Sequence, residues 1–264
     1  QFDGNSPHLR IARWPVPPGV KIDPMLDKPS HRKSATGSVS PLLMLPGTLC
    51  DARLFSKVLA LLGLAAEIPP LTGASTSGHM AERILANAPP LFSLCGFSLG
   101  AIVALEIIAR APERVERLAL IGCNPGTLDA TARAAREALS KDAFLAAGIE
   151  GVGLAERTMI AEMAVASSNE TYRQQTAMTV SRRDSRPCLS AIAVPTLVLC
   201  GATDRTCPPA MSRQIADAIP DARLVVVADA GHYVVLQKPE IVATELAGWL
   251  AIPAQSLLSR SHHE

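Results

Sequence analysis

Three residues of this 264-residue chain combine types and settings suited to nucleophilic chemistry: Ser98, Asp204 and His232. Ser98 sits in Gly96-Phe97-Ser98-Leu99-Gly100, between a short apolar run that opens at Leu91 and a helical pattern of small and aliphatic residues. A strand that turns at once into a helix brings backbone against backbone, and glycine at both flanks removes side chains that would collide. Such a turn is strained and carries the serine hydroxyl at its tip. The helix that follows aims its unpaired N–H groups and positive dipole end at whatever the serine attacks. At average glycine and serine usage the five-residue pattern arises by chance on the order of 0.1 times in a chain this long. The pattern alone also suits an ordinary strand–helix turn. The reading therefore depends on whether a base, an acid and an oxyanion site occur where the same architecture would place them.

The elements that must position these residues can be followed along the chain. Residues 42–45 form an apolar run that reads as the first strand, and it ends in Pro46-Gly47-Thr48-Leu49-Cys50-Asp51. Gly47 permits a sharp turn, and residues 51–62 read as an amphipathic helix that stops before Gly63. A loop directly after a buried strand can offer backbone N–H groups to an oxyanion. The expected donors are Leu49, with Thr48 as the neighbouring option, and Leu99. Without Ser98 the same loop reads as a plain strand–helix connection. Residues 65–71 give a weaker strand, and a helix follows near 80–87. Ala88-Pro89-Pro90 then stops that helix and starts the central strand, followed by a helix over 99–110 and a strand over 115–122. His79 reads as a surface residue.

In the second half a strand over 195–201 leads into Asp204, and a helix covers 209–219. The last strand, 224–227, leads into Asp229-Ala230-Gly231-His232-Tyr233, and a helix over 239–250 closes the fold. Strands and helices alternating at short spacing imply a parallel sheet covered on both faces. Ligand sites in such sheets form at the carboxyl ends of the strands. Ser98, Asp204 and His232 are thus three loop residues on one edge, in the chain order Ser, Asp, His.

Composition bounds the remaining possibilities. The chain is 48% hydrophobic and 19% charged with a formal net charge of +1, which suits one α/β domain with a small insertion. That balance argues against nucleic acid or an anionic membrane as the main partner. No apolar run reaches membrane-spanning length, and with no basic segment followed by an apolar stretch near residue 1 a signal peptide is not expected. The six cysteines form no Cys-x-x-Cys pair and the histidines show no metal-ligand spacing. A cytoplasmic protein without a metal site is the expectation. Residues 1–40, rich in proline and polar residues, read as an extended or poorly ordered arm, and 253–264 as a tail. The core is expected over 41–123 and 191–252. Between its halves, residues 124–190 exceed a normal crossover and show helical periodicity at 131–139, 143–147, 154–167 and 171–181. They read as a small helical cap over the active-site end of the sheet. Candidate pocket residues are Phe97, Met159, Met163, Met178 and Tyr233, with Leu145 beside them, although the methionines equally suit helix packing. Arg182, Arg183, Asp184 and Arg186 read as a solvated turn, with a substrate carboxylate site as the lesser alternative.

From residue 42 to residue 250 the chain resembles the α/β-hydrolase superfamily, in particular its small single-domain serine esterases. The serine turn, the Gly201-Ala202-Thr203-Asp204 loop, the Gly231-His232 loop and Pro46-Gly47 carry the resemblance. Pro46 departs from the more usual His-Gly, but the oxyanion donors are backbone groups. No N-terminal antiparallel hairpin is legible. The fold expected is therefore α/β, a doubly wound and mostly parallel sheet of about six strands with helices on both faces. The resemblance implies Ser98 as nucleophile, His232 as general base and Asp204 as the acid that orients it, with no cofactor. Asp229 is a competing acid, disfavoured because it shares a short turn with His232. The position after Gly122, another place for the acid, offers only Cys123 and Asn124. The activity implied is hydrolysis of a small-molecule carboxylic ester, lactone or thioester. The same triad serves carbon–carbon bond hydrolysis, perhydrolysis and lyase chemistry, and the fold also serves non-catalytic ligand binding. Acyl length, leaving group and oligomeric state have no signature in the sequence.

Overall fold

A computed structural model of the chain describes residues 40–149 and 151–253. The arm expected over 1–40 and the tail over 253–264 lie outside these residues, save Ser40 and Pro253. The first half runs β1 (Leu42–Leu45), a 3-10 turn (Ala52–Phe55), α1 (Ser56–Leu62), α2 (Ser77–Leu85), β2 (Phe92–Phe97), α3 (Leu99–Arg110) and β3 (Val115–Ile121). Then come α4 (Ala130–Ala138), α5 (Lys141–Gly148), α6 (Leu154–Ala166), α7 (Asn169–Val180) and a second 3-10 turn (Arg186–Ala191). The second half is β4 (Thr196–Gly201), α8 (Pro209–Ala218), β5 (Arg223–Val227), α9 (Val234–Gln237) and α10 (Pro239–Leu250).

The strands form one five-stranded sheet in the order β1-β2-β3-β4-β5, and every neighbouring pair is parallel. Side chains alternate across a strand, and the two resulting sets fall into two separate cores. Leu43, Leu45, Leu94, Leu118, Leu120 and Val198 pack with residues of α2, α3 and α8. Leu42, Met44, Cys95, Phe97, Ala119, Ile121, Leu197 and Leu199 pack with residues of α1, α9 and α10. The near-continuous apolar runs read as buried strands are therefore apolar because both faces are covered.

The expected sixth strand over 65–71 is corrected. Only Glu67 joins the sheet, as an isolated parallel bridge to Leu43, with Glu67 N donating to Leu42 O at 2.8 Å and Met44 N to Glu67 O at 2.9 Å. Pro69 and Pro70 follow within three residues, lack N–H donors, and cannot extend the ladder.

The long β3–β4 connection is helical, as its periodicity predicts. Three of its four helices begin earlier than the apolar pattern suggests because polar caps set their starts: Asp129 accepts from Ala132 N, Ser140 from Ala143 N and Ser168 from Thr171 N, whereas α6, without such a cap, begins at Leu154 as expected. Helix α7 packs against both α3 and α4, and α6 against the 3-10 turn that follows β1. The segment is thereby attached to the strand ends from which the site is built.

Candidate active site

Ser98 occupies the junction between β2 and α3. It has φ 54° and ψ −114°, a conformation that side chains disfavour and that the surroundings must enforce. Its N–H donates to Ile121 O at 2.9 Å, which pins the turn to β3. The flanking glycines are steric requirements. A Cβ on Gly96 would lie 2.5 Å from Gly100 O, and one on Gly100 would lie 2.5 Å from the carbonyl carbon of Leu45. Leu99 is the first residue of α3, so its N–H has no partner within the helix and joins the positive end of the helix dipole.

Asp204 and His232 come from the loops after β4 and β5. The two loops are pressed together, with Thr203 N and Thr203 Oγ1 donating to Ala230 O at 2.9 and 3.0 Å. A Cβ on Gly201 would collide with the Ala230 and Gly231 backbone, so the close approach requires glycine there. Gln237 Oε1 accepts from Gly231 N at 2.9 Å and steadies the residue before His232.

His232 Nδ1 lies 2.8 Å from Asp204 Oδ2, and His232 Nε2 lies 2.9 Å from Ser98 Oγ. A carboxylate only accepts, so Nδ1 carries the proton and Nε2 presents its lone pair to the serine hydroxyl. The other carboxylate oxygen, Asp204 Oδ1, accepts from Thr206 N and Cys207 N, both at 2.8 Å. The Asp204 side chain is 0% exposed and that of His232 10% exposed, whereas Asp229 lies at the surface. The structure therefore joins Ser98, His232 and Asp204 in one hydrogen-bonded chain and leaves Asp229 out of it. Such a chain can draw a proton from the serine hydroxyl as it attacks a carbonyl carbon.

The loop after β1 contains Thr48 and Leu49. The Leu49 N–H is already committed: it donates to the side chain of Gln175 on α7 at 2.8 Å. The Thr48 N–H has no hydrogen-bond partner among the described residues. Of the two loop donors proposed from sequence, Thr48 is thus the available one, and Leu49 is corrected to a structural bond.

The candidate pocket residues do not share one surface. Met178 is fully buried in the core beneath α3, while Met163 is fully buried and Met159 partly buried in the core on the other side of the sheet. Leu145 borders that second core, too. Met163 Sδ also accepts from Asp51 N at 3.5 Å. Phe97 and Tyr233 lie beside the histidine, their ring centroids 5.1 and 5.9 Å from that of His232. Arg182 is buried and donates to Gly126 O and Thr179 O, so it closes a turn where the sequence suggested a solvated one.

Burial pushes the Cys50, Cys95 and Cys123 thiols up to about 12, which keeps them protonated and unreactive at neutral pH. Among the described residues no group of three His, Cys, Asp or Glu side chains is placed to hold a metal ion. No helix among them is long and apolar enough to cross a membrane.

Two contributors have no sequence motif. Gly122 has φ 57°, and a Cβ there would lie 3.2 Å from His232 Cε1 and 3.5 Å from Asp204 Oδ2. It leaves room for the His–Asp pair, and its only signal in the sequence is a glycine at a strand end. Gln175 is the other, an amide on α7 that no local pattern marks.

The model of the alpha/beta hydrolase family matches residues 27–245, and the chain belongs to that family. The pimeloyl-[acyl-carrier protein] methyl ester esterase of Aromatoleum aromaticum is 27% identical over 214 residues, covering 67% of this chain and 84% of that protein. A thermophilic esterase from Thermogutta terrifontis superposes with a TM-score of 0.71 at 22% identity, covering 81% of this chain and 90% of its own. The enol-lactonase of Burkholderia xenovorans superposes equally well, with a TM-score of 0.71 at 21% identity, over 81% of this chain and 92% of its own. Enzymes of the hydrolase type on this fold are what the chain is similar to.

Proposed function

We propose that this α/β-hydrolase cleaves a small-molecule carboxylic ester through an acyl-enzyme on Ser98. The observation that carries the reading is the pair of bonds at His232: 2.9 Å from Nε2 to Ser98 Oγ and 2.8 Å from Nδ1 to Asp204 Oδ2. His232 takes the Ser98 proton as Oγ attacks the ester carbonyl, and Asp204 stabilises the imidazolium that forms. The developing oxyanion is met by the N–H groups of Leu99 and Thr48, each donor contributing about 3 kcal/mol in sites of this kind. His232 then returns the proton to the departing alcohol. Water repeats the sequence on the acyl-enzyme, with the histidine again as base. No step calls for a metal or organic cofactor.

The ester named in the Aromatoleum aromaticum relative supports an ester as the substrate class. A reducing compartment, the cytoplasm, is proposed with it, since all six cysteines are free thiols. The helices of 124–190 are proposed as the cap over the site.

The test is hydrolysis of p-nitrophenyl acetate and butyrate by wild type and Ser98→Ala, with intact-mass analysis after a fluorophosphonate probe. Wild type is expected to turn over and to gain one adduct on Ser98, and the variant to lose at least about 10⁴-fold in kcat. Turnover retained in Ser98→Ala, or folded wild type that takes no adduct, would overturn the proposal.

A further inference from the structure

We propose that Gln175, on α7 of the inserted segment, is a positioning residue that holds the oxyanion loop in its working conformation. The proposal rests on the esterase reading above and adds a dependence of turnover on a cap side chain.

The loop carries unusual strain. Cys50 N donates to Gly47 O at 3.1 Å, which closes a four-residue turn with Thr48 and Leu49 at its centre. Leu49 has φ 59°. A left-handed residue at the third position marks a type II turn, where glycine is the usual occupant because a Cβ is disfavoured. Leucine there invites relief by rotation of the Thr48–Leu49 peptide to the type I arrangement. That rotation would exchange the sides on which the Leu49 N–H and the Thr48 carbonyl lie.

Both ends of this peptide are tethered. Leu49 N–H donates to Gln175 Oε1 at 2.8 Å, and Thr48 O accepts from Cys50 Sγ at 3.5 Å. Gln175 is itself oriented, because its Nε2 donates to Leu71 O at 3.2 Å. Reversing the amide would set N–H against N–H at Leu49 and oxygen against oxygen at Leu71. Gln175 and Leu49 are each 2% exposed, so water is not at hand to replace either bond. The Leu49 side chain packs against Ala164 of α6 and Tyr172 of α7. Side chain and N–H of Leu49 are thus both held by the inserted segment, and the Thr48 N–H on the adjoining peptide is left for the oxyanion. Without the Gln175 oxygen, the buried Leu49 N–H would lack a partner and the turn would lose what opposes its relief.

The test compares wild type, Ser98→Ala, Gln175→Met and Gln175→Glu. It reads kcat and KM for p-nitrophenyl butyrate and the Ki of a trifluoromethyl ketone, whose adduct with a serine carries an oxyanion. Gln175→Met keeps the length and apolar stem but offers Leu49 no strong acceptor. Its kcat is expected to fall about 10- to 100-fold with KM within about threefold, and its Ki to rise by the same factor as kcat falls. Gln175→Glu, buried without a cationic partner, takes up a proton, so one oxygen still accepts from Leu49 N–H while its O–H donates to Leu71 O, and it is expected to stay within about fivefold of wild type. Should Gln175→Met not fold, Gln175→Asn withdraws the amide by one methylene and is expected to show the same kcat loss. Methionine and glutamate variants equally impaired, or a variant lacking the acceptor within about threefold of wild type in kcat and Ki, would overturn the proposal. Ser98→Ala that remained active would instead sink the esterase reading itself.

Discussion

Replacing Asp204 by asparagine removes one charge and almost no volume, and its consequence can be worked through the bonds around it. Oδ1 accepts two backbone N–H groups, from Thr206 and Cys207, each at 2.8 Å. In the variant the amide oxygen must stay there. Turning the NH₂ group towards those two donors would orphan both, at about 1–3 kcal/mol each in a buried site. The NH₂ group therefore faces His232 Nδ1, where Asp204 Oδ2 now lies at 2.8 Å. An N–H donor at that place forces the imidazole proton onto Nε2, the nitrogen that must accept from Ser98. The base is then in the wrong tautomer although the geometry is intact. The expected loss is about 10⁴-fold in kcat, or roughly 5 kcal/mol of transition-state stabilisation. Asp229→Asn changes a surface carboxylate outside the chain of bonds and is expected to stay within about twofold of wild type. The assay is steady-state hydrolysis of p-nitrophenyl butyrate, with thermal melts to show that both variants fold. Asp204→Asn within about tenfold of wild type, or Asp229→Asn equally impaired, would refute the reasoning.

Other consequences concern stability. Glu106, 3% exposed on α3, bonds to Arg110 and, at 2.6 Å, to Arg183. Burial raises its carboxyl, but the hydrogen bonds from Arg183 and Arg110 outweigh this and hold it below the ordinary glutamate value. A carboxylate depressed in the folded state contributes stability above its unfolded pKa, about 4.3, and loses it as pH falls through the folded value. Glu106→Gln is therefore expected to destabilise by about 2 kcal/mol at pH 7, discounted because Arg183 is 62% exposed. In urea titrations the gap to wild type should close in acid below about pH 4, and a gap that widens there would contradict the pairing. Gly100→Ala would press a methyl against the β1 backbone and is expected to cost about 3 kcal/mol or more. Gly248→Ala, on exposed α10 backbone with nothing within 4 Å, should instead raise the melting temperature by about 1–3 °C. Calorimetry that found the two alanines alike would contradict the close approach of α3 to β1.

Much of the architecture was legible because local spacing encodes backbone. Apolar runs at 42–45, from 91 and over 115–122 read as strands, which the structure has at Leu42–Leu45, Phe92–Phe97 and Val115–Ile121, and the helices between them read from their period and their breakers. Elements whose boundaries depend on side-chain caps, such as Ser140 and Ser168, were displaced because an apolar pattern does not register a cap. The strand expected at 65–71 failed for a related reason. Its apolar content suited a strand, but pairing requires a continuous supply of N–H donors, and Pro69 and Pro70 interrupt it.

For the candidate site, the amino-acid order determined which residues could do chemistry. Ser98, Asp204 and His232 each follow a strand, and loops after parallel strands gather at one edge whatever the details of packing. Tertiary structure alone decided the partners. That Asp204 is buried against His232 while Asp229 is exposed depends on how the β4 and β5 loops press together. That Leu49 gives its N–H to Gln175, 126 residues away, depends on where α7 docks. Methionines of one inserted segment were divided between two cores because α6, which carries Met159 and Met163, contributes to one and α7, which carries Met178, to the other. Spacing along a chain specifies local geometry, but a hydrogen bond or a buried surface belongs to whichever group packing brings within reach.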